Sequence, residues 1–125
     1  MSSLQKKETL LIVDDSKFQR VVIRQSLGEY FNFAEAVSGE ECLTIMEKES
    51  DAIDLVLLDI MLPGKDGFEL LGVMKEHGIP VIYITAKADV NSKIKGLRSG
   101  AEDYIVKPFN PMELKIRIRK IIENE

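Results

Sequence analysis

Asp14 with Asp15, Asp59, Thr85 and Lys107 are the residues whose types suit chemistry, and each stands where a short apolar run stops. Residues 10–13 run into the paired acids, 55–58 into Asp59, 81–84 into Thr85, and 104–106 into Lys107, which Pro108 follows. A single aspartate after such a run is usually a turn or cap residue. Three acids, a hydroxyl and an amine at four run ends are a different matter. Carboxylates gathered at about 4 Å repel by roughly 1 kcal/mol per pair in water, and by several times more where solvent is partly excluded. They need a cation. Lys107 supplies one charge, and oxygen ligands without clustered His or Cys suit a hard divalent ion, Mg2+ first and Mn2+ as its substitute. A carboxylate attacking phosphorus brings two anions together, so a metal, an ammonium and a hydroxyl are the parts that hold phosphoryl oxygens. Asp59 is the candidate nucleophile of that set.

The elements that must position these residues follow from the same runs. Continuous apolar segments ending in acid read as strands buried on both faces of a parallel sheet, and a weaker β run at 33–37 supplies the second strand. Ser16 with Gln19, Ser38 with Glu41, and Asp66 with Glu69 are capping-box patterns that start helices. Before the last helix Asn110 can cap, Pro111 suits the first helical position, and Glu113 falls in the first turn, where the helix dipole favours an anion. Phe68, Leu71 and Met74, then Val90, Ile94 and Leu97, then Leu114, Ile118 and Ile121 fall at helical spacing and are expected in the core. Strands and helices alternating five times predict a doubly wound α/β sandwich with right-handed crossovers. Ligands of open parallel sheets lie outside the carboxyl ends of the strands, where the five polar residues fall.

Composition narrows the function classes. A chain of 125 residues with 45% hydrophobic and 30% charged residues fits one globular domain, here 1–125 with a polar extension at 1–8. Net charge −4 and a pI near 5.1 argue against direct nucleic-acid binding by this chain. Cys42 is the lone cysteine, which excludes an internal disulfide and a multi-thiolate metal site and predicts a buried reduced thiol. Neither a signal-peptide core nor an apolar run near the roughly 20 residues of a membrane span is legible, so no membrane association and a cytoplasmic location are expected. His77 reads as a solvated residue at a helix end, and Ser16 as a cap rather than a nucleophile.

Taken in order, Leu11-Ile-Val-Asp-Asp-Ser16, Leu57-Leu-Asp-Ile-Met-Leu-Pro63 with Asp66-Gly67, Ile84-Thr-Ala86 and Tyr104-Ile-Val-Lys-Pro-Phe109 resemble response-regulator receiver domains of two-component systems. The resemblance covers the chain from Glu8 onward. It implies a flavodoxin-like (βα)5 fold with strand order 2-1-3-4-5, and a phosphoryl group taken by Asp59 from a sensor histidine kinase. It further implies Mg2+ contacts from Asp15, Asp59 and the Met61 backbone carbonyl, with Asp14 acting largely through water. Lys107 would pair with the phosphoryl oxygens, the Lys107–Pro108 bond would be cis, and Thr85 and Tyr104 would be the switch pair. Met61 and Lys87, two residues after the acceptor and the threonine, offer no water-activating acid, which implies slow self-dephosphorylation.

The segment 100–104 and the helix that follows Asn110 are similar to the fourth-helix to fifth-helix face of receivers joined to winged-helix DNA-binding domains. Lys93, Asp103, Glu113 and Arg117 match positions that form intersubunit ion pairs in a homodimer, with Met112 and Ile116 as an apolar stripe. A solvated charged face is the alternative of equal weight. Kinase choice is expected to rest on Phe18, Gln19, Val22 and the loop after Lys107. The chain suits either a stand-alone receiver or one cut from a longer regulator.

Three rivals remain weaker. A haloacid-dehalogenase-like enzyme needs a second Asp two residues after its nucleophile, where this chain has Met61, and a cap domain that it lacks. A flavodoxin-type carrier wants a Ser/Thr/Gly-rich loop after the first strand rather than Asp14-Asp15-Ser16-Lys17. A phosphate-independent receiver-like scaffold has no need of all five intact site residues.

Overall fold

A computed structural model describes residues 7–64 and 67–123. Strands β1 (Thr9–Val13), β2 (Asn32–Ala36), β3 (Leu55–Leu58), β4 (Val81–Thr85) and β5 (Asp103–Val106) alternate with helices α1 (Lys17–Leu27), α2 (Gly39–Glu49), α3 (Gly67–Glu76), α4 (Val90–Arg98) and α5 (Pro111–Glu123). All strand pairs are parallel, as the buried apolar runs predict, and the sheet order is β2-β1-β3-β4-β5, as the receiver resemblance implies. The second strand lies one residue earlier than the β run suggested, leaving Val37 exposed beyond it.

Alternation of side chains along each strand divides the core in two. Leu11, Val13, Val56, Leu58, Val81 and Tyr83 meet Cys42 and Met46 of α2 and Leu70, Leu71 and Met74 of α3. On the other face Leu10, Ile12, Leu55, Leu57, Ile82 and Ile84 meet Ile23 and Leu27 of α1 and Leu114 and Ile118 of α5. Cations over rings bind α5 to the turn between α1 and β2, with Lys115 Nζ 3.5 Å from the Tyr30 centroid and the Arg119 guanidinium 4.7 Å from that of Phe31.

Helix starts follow the cap residues. The Ser16 hydroxyl accepts from the Gln19 amide, and the Ser38 hydroxyl from that of Glu41, while Asn110 Oδ1 accepts from Met112 and Glu113. The Glu41 carboxylate reaches back to the amide of Val37, one residue before the cap. Asp66 lies outside the described residues; α4 is instead capped by Asp89, whose Oδ2 accepts from the Ser92 amide and whose carboxyl is thereby held below its ordinary range.

One core expectation fails. Val90, Ile94 and Leu97 are 68%, 45% and 41% exposed, and the buried residue of α4 is Gly96. Helical spacing marks an amphipathic face but not what it packs on. Here α4 meets the protein through its glycine, and its apolar stripe faces outward. His77 is exposed at the end of α3, a ring nitrogen donating to the Val73 carbonyl at 3.0 Å.

Cys42 is fully buried, and burial raises its thiol from 9.0 to about 12. Below pH 9.0 folded and unfolded chains are both protonated there; between 9.0 and 12 only the unfolded chain ionises. Stability should therefore fall by about 1.4 kcal/mol per pH unit in that window. Tyr104 and Lys107, also raised, push the same way from ordinary values of 10.0 and 10.5. In urea titrations Cys42→Ala should lower stability at pH 7 by about 1 kcal/mol and flatten the first part of the alkaline decline. An unchanged slope between pH 9 and 10 would contradict the burial account.

Candidate functional site

Register brings the polar strand ends together. The Asp14 amide donates to the Ala36 carbonyl, the Asp59 amide to that of Val13, and the Lys107 amide to that of Thr85, at 3.1, 3.0 and 2.8 Å. Each of these backbones is thus pinned to the neighbouring strand. Because Val13 pairs with Leu58, and Thr85 with Val106, the residues that follow are carried to the same end of the sheet.

Lys107 joins the acids. Its Nζ lies 2.7 Å from Asp14 Oδ2 and 3.0 Å from Asp59 Oδ2, with all three side chains largely withdrawn from water. Burial by itself lowers the Lys107 ammonium, but hydrogen bonds to and charge attraction from Asp14 and Asp59 outweigh it and hold it above the ordinary lysine value. The other oxygens are held by backbone amides: Asp14 Oδ1 accepts from Ser16 at 2.9 Å, and Asp59 Oδ1 from Met61 at 2.9 Å. Asp15 is exposed, and together Asp14, Asp15 and Asp59 each offer one ligand oxygen within 4.8 Å of the others.

Three carboxylates against one ammonium leave the cluster short of positive charge. The oxygen-only donor set, part buried and part open to solvent, fits a hard divalent cation of the Mg2+ type. The Met61 amide bond to Asp59 keeps that stretch of backbone beside the carboxylate, although the Met61 side chain points into solvent.

A second linkage leaves the site through β4. Thr85 is fully buried and its hydroxyl accepts from the Lys87 amide at 3.3 Å, while the Tyr104 hydroxyl donates to the Lys87 carbonyl at 2.7 Å. Tyr104 is 5% exposed, so its ring occupies an inward position. Burial raises its phenol, and the charges of Asp89 and Asp59 add to the effect. The Lys107–Pro108 bond is cis.

A model of the response regulator receiver domain matches residues 10–119. This chain belongs to the receiver-domain family. It is 43% identical over 122 residues to "Probable transcriptional regulator ycf27" of Guillardia theta, covering 95% of this chain and 47% of that protein. It is 42% identical over 114 residues to "Regulatory protein VanRc" of Enterococcus gallinarum, covering 90% and 48%. The receiver thus spans about half the length of these relatives. Among solved structures it resembles a CheY-like receiver from Methanospirillum hungatei JF-1, with TM-score 0.86 and 32% identity over 95% of this chain and 96% of the other. It also resembles DrrB, a Thermotoga maritima OmpR/PhoB homolog, with TM-score 0.82 and 31% identity over 95% of this chain and 54% of that one.

Two contributors to the receiver's site were given no role by sequence reasoning, although Gly67 stood in one of its motifs. Arg20 Nη1 donates to the Asp14 carbonyl and Nε to Glu35, both at 2.8 Å, fastening the loop that carries the acids to β2. The available signal was a cation in the early turns of α1, where the helix dipole disfavours it. Gly67 is the other: a Cβ there would lie 2.8 Å from the Ile60 Cα, so only glycine lets α3 start against the residue after Asp59. Of the four ion-pair residues expected at a dimer face, three pair with one another within the chain. Arg117 binds Asp103 at 2.6 Å and Glu113 at 3.3 Å, while Lys93 pairs with none of the described residues.

The geometry ranks the site charges. Asp59 feels two repulsions at no more than 4.8 Å against one attraction at 3.0 Å, whereas Lys107 feels two close attractions. Asp59→Asn should therefore melt no lower than the parent in metal-free buffer at pH 7. Lys107→Ala, which strands two buried carboxylates, should lose about 2 kcal/mol or more. Equal losses in the two variants would refute this ranking.

Proposed function

We propose that the chain is a phosphorylation-activated switch of a two-component system, in which Asp59 takes a phosphoryl group from the phosphohistidine of a sensor kinase. The observation that carries this reading is the Lys107 ammonium bridging Asp14 and Asp59 beside a buried Thr85 hydroxyl. An Asp59 oxygen attacks phosphorus, the P–N bond of the donor breaks with its electrons going to the imidazole, and an acyl phosphate results. Asp15, Asp59 and the Met61 carbonyl would hold Mg2+, with Asp14 acting through water; when bound, the ion supplies positive charge to the phosphoryl oxygens. Lys107, already between the two carboxylates, transfers its hydrogen bond from Asp59 to a phosphoryl oxygen. Thr85 donates its hydroxyl proton to another.

The response is a shift between states that exist before phosphorylation. Thr85 and Tyr104 hold the two sides of the Lys87 peptide segment, so movement of the hydroxyl toward phosphate alters the loop that leads into α4. The altered α4-β5-α5 face is the output, open to a partner or a second copy. A second copy would have to share or replace the Arg117 bonds to Asp103 and Glu113. Since the Guillardia theta relative is named a probable transcriptional regulator and is about twice its length, control of an attached or separate transcription factor is the favoured output. Phe18 on α1, 71% exposed, with Gln19 and Val22, forms the surface offered to the kinase. No helix among the described residues is long and apolar enough to cross a membrane, and the reading places the switch in the cytoplasm with its kinase's catalytic part.

Intact-mass measurement after incubation with acetyl phosphate should show one added phosphoryl group with Mg2+ or Mn2+, none with chelator, and none on Asp59→Asn. Since neither Met61 nor Lys87, both exposed, offers a side-chain acid to activate water, the adduct should outlast seconds. An adduct on Asp59→Asn, or none on the parent with acetyl phosphate or a kinase, would reject the assignment. Thr85→Ala should still be labelled while its phosphate-dependent change in α4 amide exchange is largely lost; a parent-sized change would remove Thr85 from the switch.

A further inference from the structure

The described contacts of the middle of α4 converge on a row of rings. Phe68 of α3 meets Tyr83 of β4 edge-on with centroids 5.7 Å apart, and Tyr83 meets Tyr104 of β5 in the same manner at 5.9 Å. Gly96 sits over the last two: a Cβ there would lie 3.0 Å from Tyr83 ring carbons and 3.3 Å from Tyr104. Lys95 Nζ stands 4.2 Å from the centre of the Phe68 ring. Since Val90, Ile94 and Leu97 face outward, this row is the seat of the helix.

The row is anchored to the loop before α4 and to the first residue of α3, on the two sides of the acidic cluster. Tyr104 is bonded to the Lys87 carbonyl, two residues past Thr85. Tyr83, wholly buried, donates its hydroxyl to the Gly67 carbonyl at 3.2 Å, and Gly67 lies against Ile60, the residue after Asp59. A phenylalanine would pack in the same space, so the hydroxyl at position 83 is a polar group placed in the core for one described backbone acceptor.

We propose that Tyr83 is a positioning residue that couples the loop following Asp59 to α4, a route separate from the Thr85–Lys87–Tyr104 connection. Movement of Ile60 against Gly67 would be passed through the phenol to the ring that supports Gly96. The inference rests on the switch reading for its purpose, but the mechanical link exists without phosphate.

The test is amide hydrogen exchange on the parent, Tyr83→Phe and Gly96→Ala, with and without saturating Mg2+ and beryllofluoride as the acyl-phosphate mimic. Without mimic, Tyr83→Phe should speed exchange across 90–98 and 60–64 by about fivefold, the effect of one lost buried hydrogen bond, and leave the amides of β1 and β3 at parent rates. Gly96→Ala, which crowds the seat but keeps the phenol bond, should speed 90–98 and spare 60–64. With mimic, Tyr83→Phe should lose at least half of the parent's change at 90–98. Parent rates at 90–98 in Tyr83→Phe, or equal acceleration in every element, would overturn the coupling role. Should the parent itself not respond to mimic, the switch reading falls while the first comparison still decides whether Tyr83 links the two segments.

Discussion

The bridge from Lys107 to Asp14 and Asp59 is the constraint on which the rest of the structure depends. Two buried carboxylates 2.7 and 3.0 Å from one ammonium can coexist only because that ammonium reaches them, and it reaches them only if β5 lies beyond β4 in the register observed. The amides of residues 14, 59 and 107 are each bonded to the adjacent strand, which fixes the distances the charges need. Sheet order is thus part of the electrostatics. A slip of one residue in any of these strands would turn its polar end to the opposite face and leave an acid without its cation.

A cluster with more negative than positive charge is destabilised by its own repulsion at neutral pH, and in the proposed switch that excess is what favours a cation. Burial ought to lower the lysine, yet its partners hold it protonated, so the ammonium persists across the physiological range. The charge excess sits on the solvent side through Asp15, while Asp14 and Asp59 face the lysine. That division suits an incoming ion approaching from water and a fixed charge waiting beneath it.

Much of this was legible in the residues themselves. Acid, hydroxyl and amine at the ends of apolar runs locate the site because buried parallel strands leave few other places for polar side chains. Cap residues Ser16, Ser38 and Asn110 also read correctly, since a cap is a local hydrogen bond. What failed depends on partners distant in sequence. The spacing of Val90, Ile94 and Leu97 marks a helix face, but only the tertiary structure shows that Gly96 takes the inward place against two tyrosines. Tyr83 read as one more apolar strand residue, and the acceptor of its hydroxyl lies across the β3–α3 connection. The roles of Arg20 and Gly67 were not legible for the same reason: each acts on backbone outside its own element.

The outward stripe of α4 also bears on how a signal leaves the molecule. Helices α1, α2, α3 and α5 each bury large apolar side chains in a core cluster, and α4 does not. An element with little buried apolar surface is the least costly to displace, and signalling segments are drawn from that end of the stability range. Loose attachment alone would make α4 mobile without making it informative. The attachment is selective: its glycine rests on two rings whose hydroxyls bind carbonyls of Lys87, in the loop before α4, and of Gly67, the first residue of α3. Weak packing supplies the freedom to move, and in the proposed switch those two hydroxyl bonds would tie the movement to the state of Asp59.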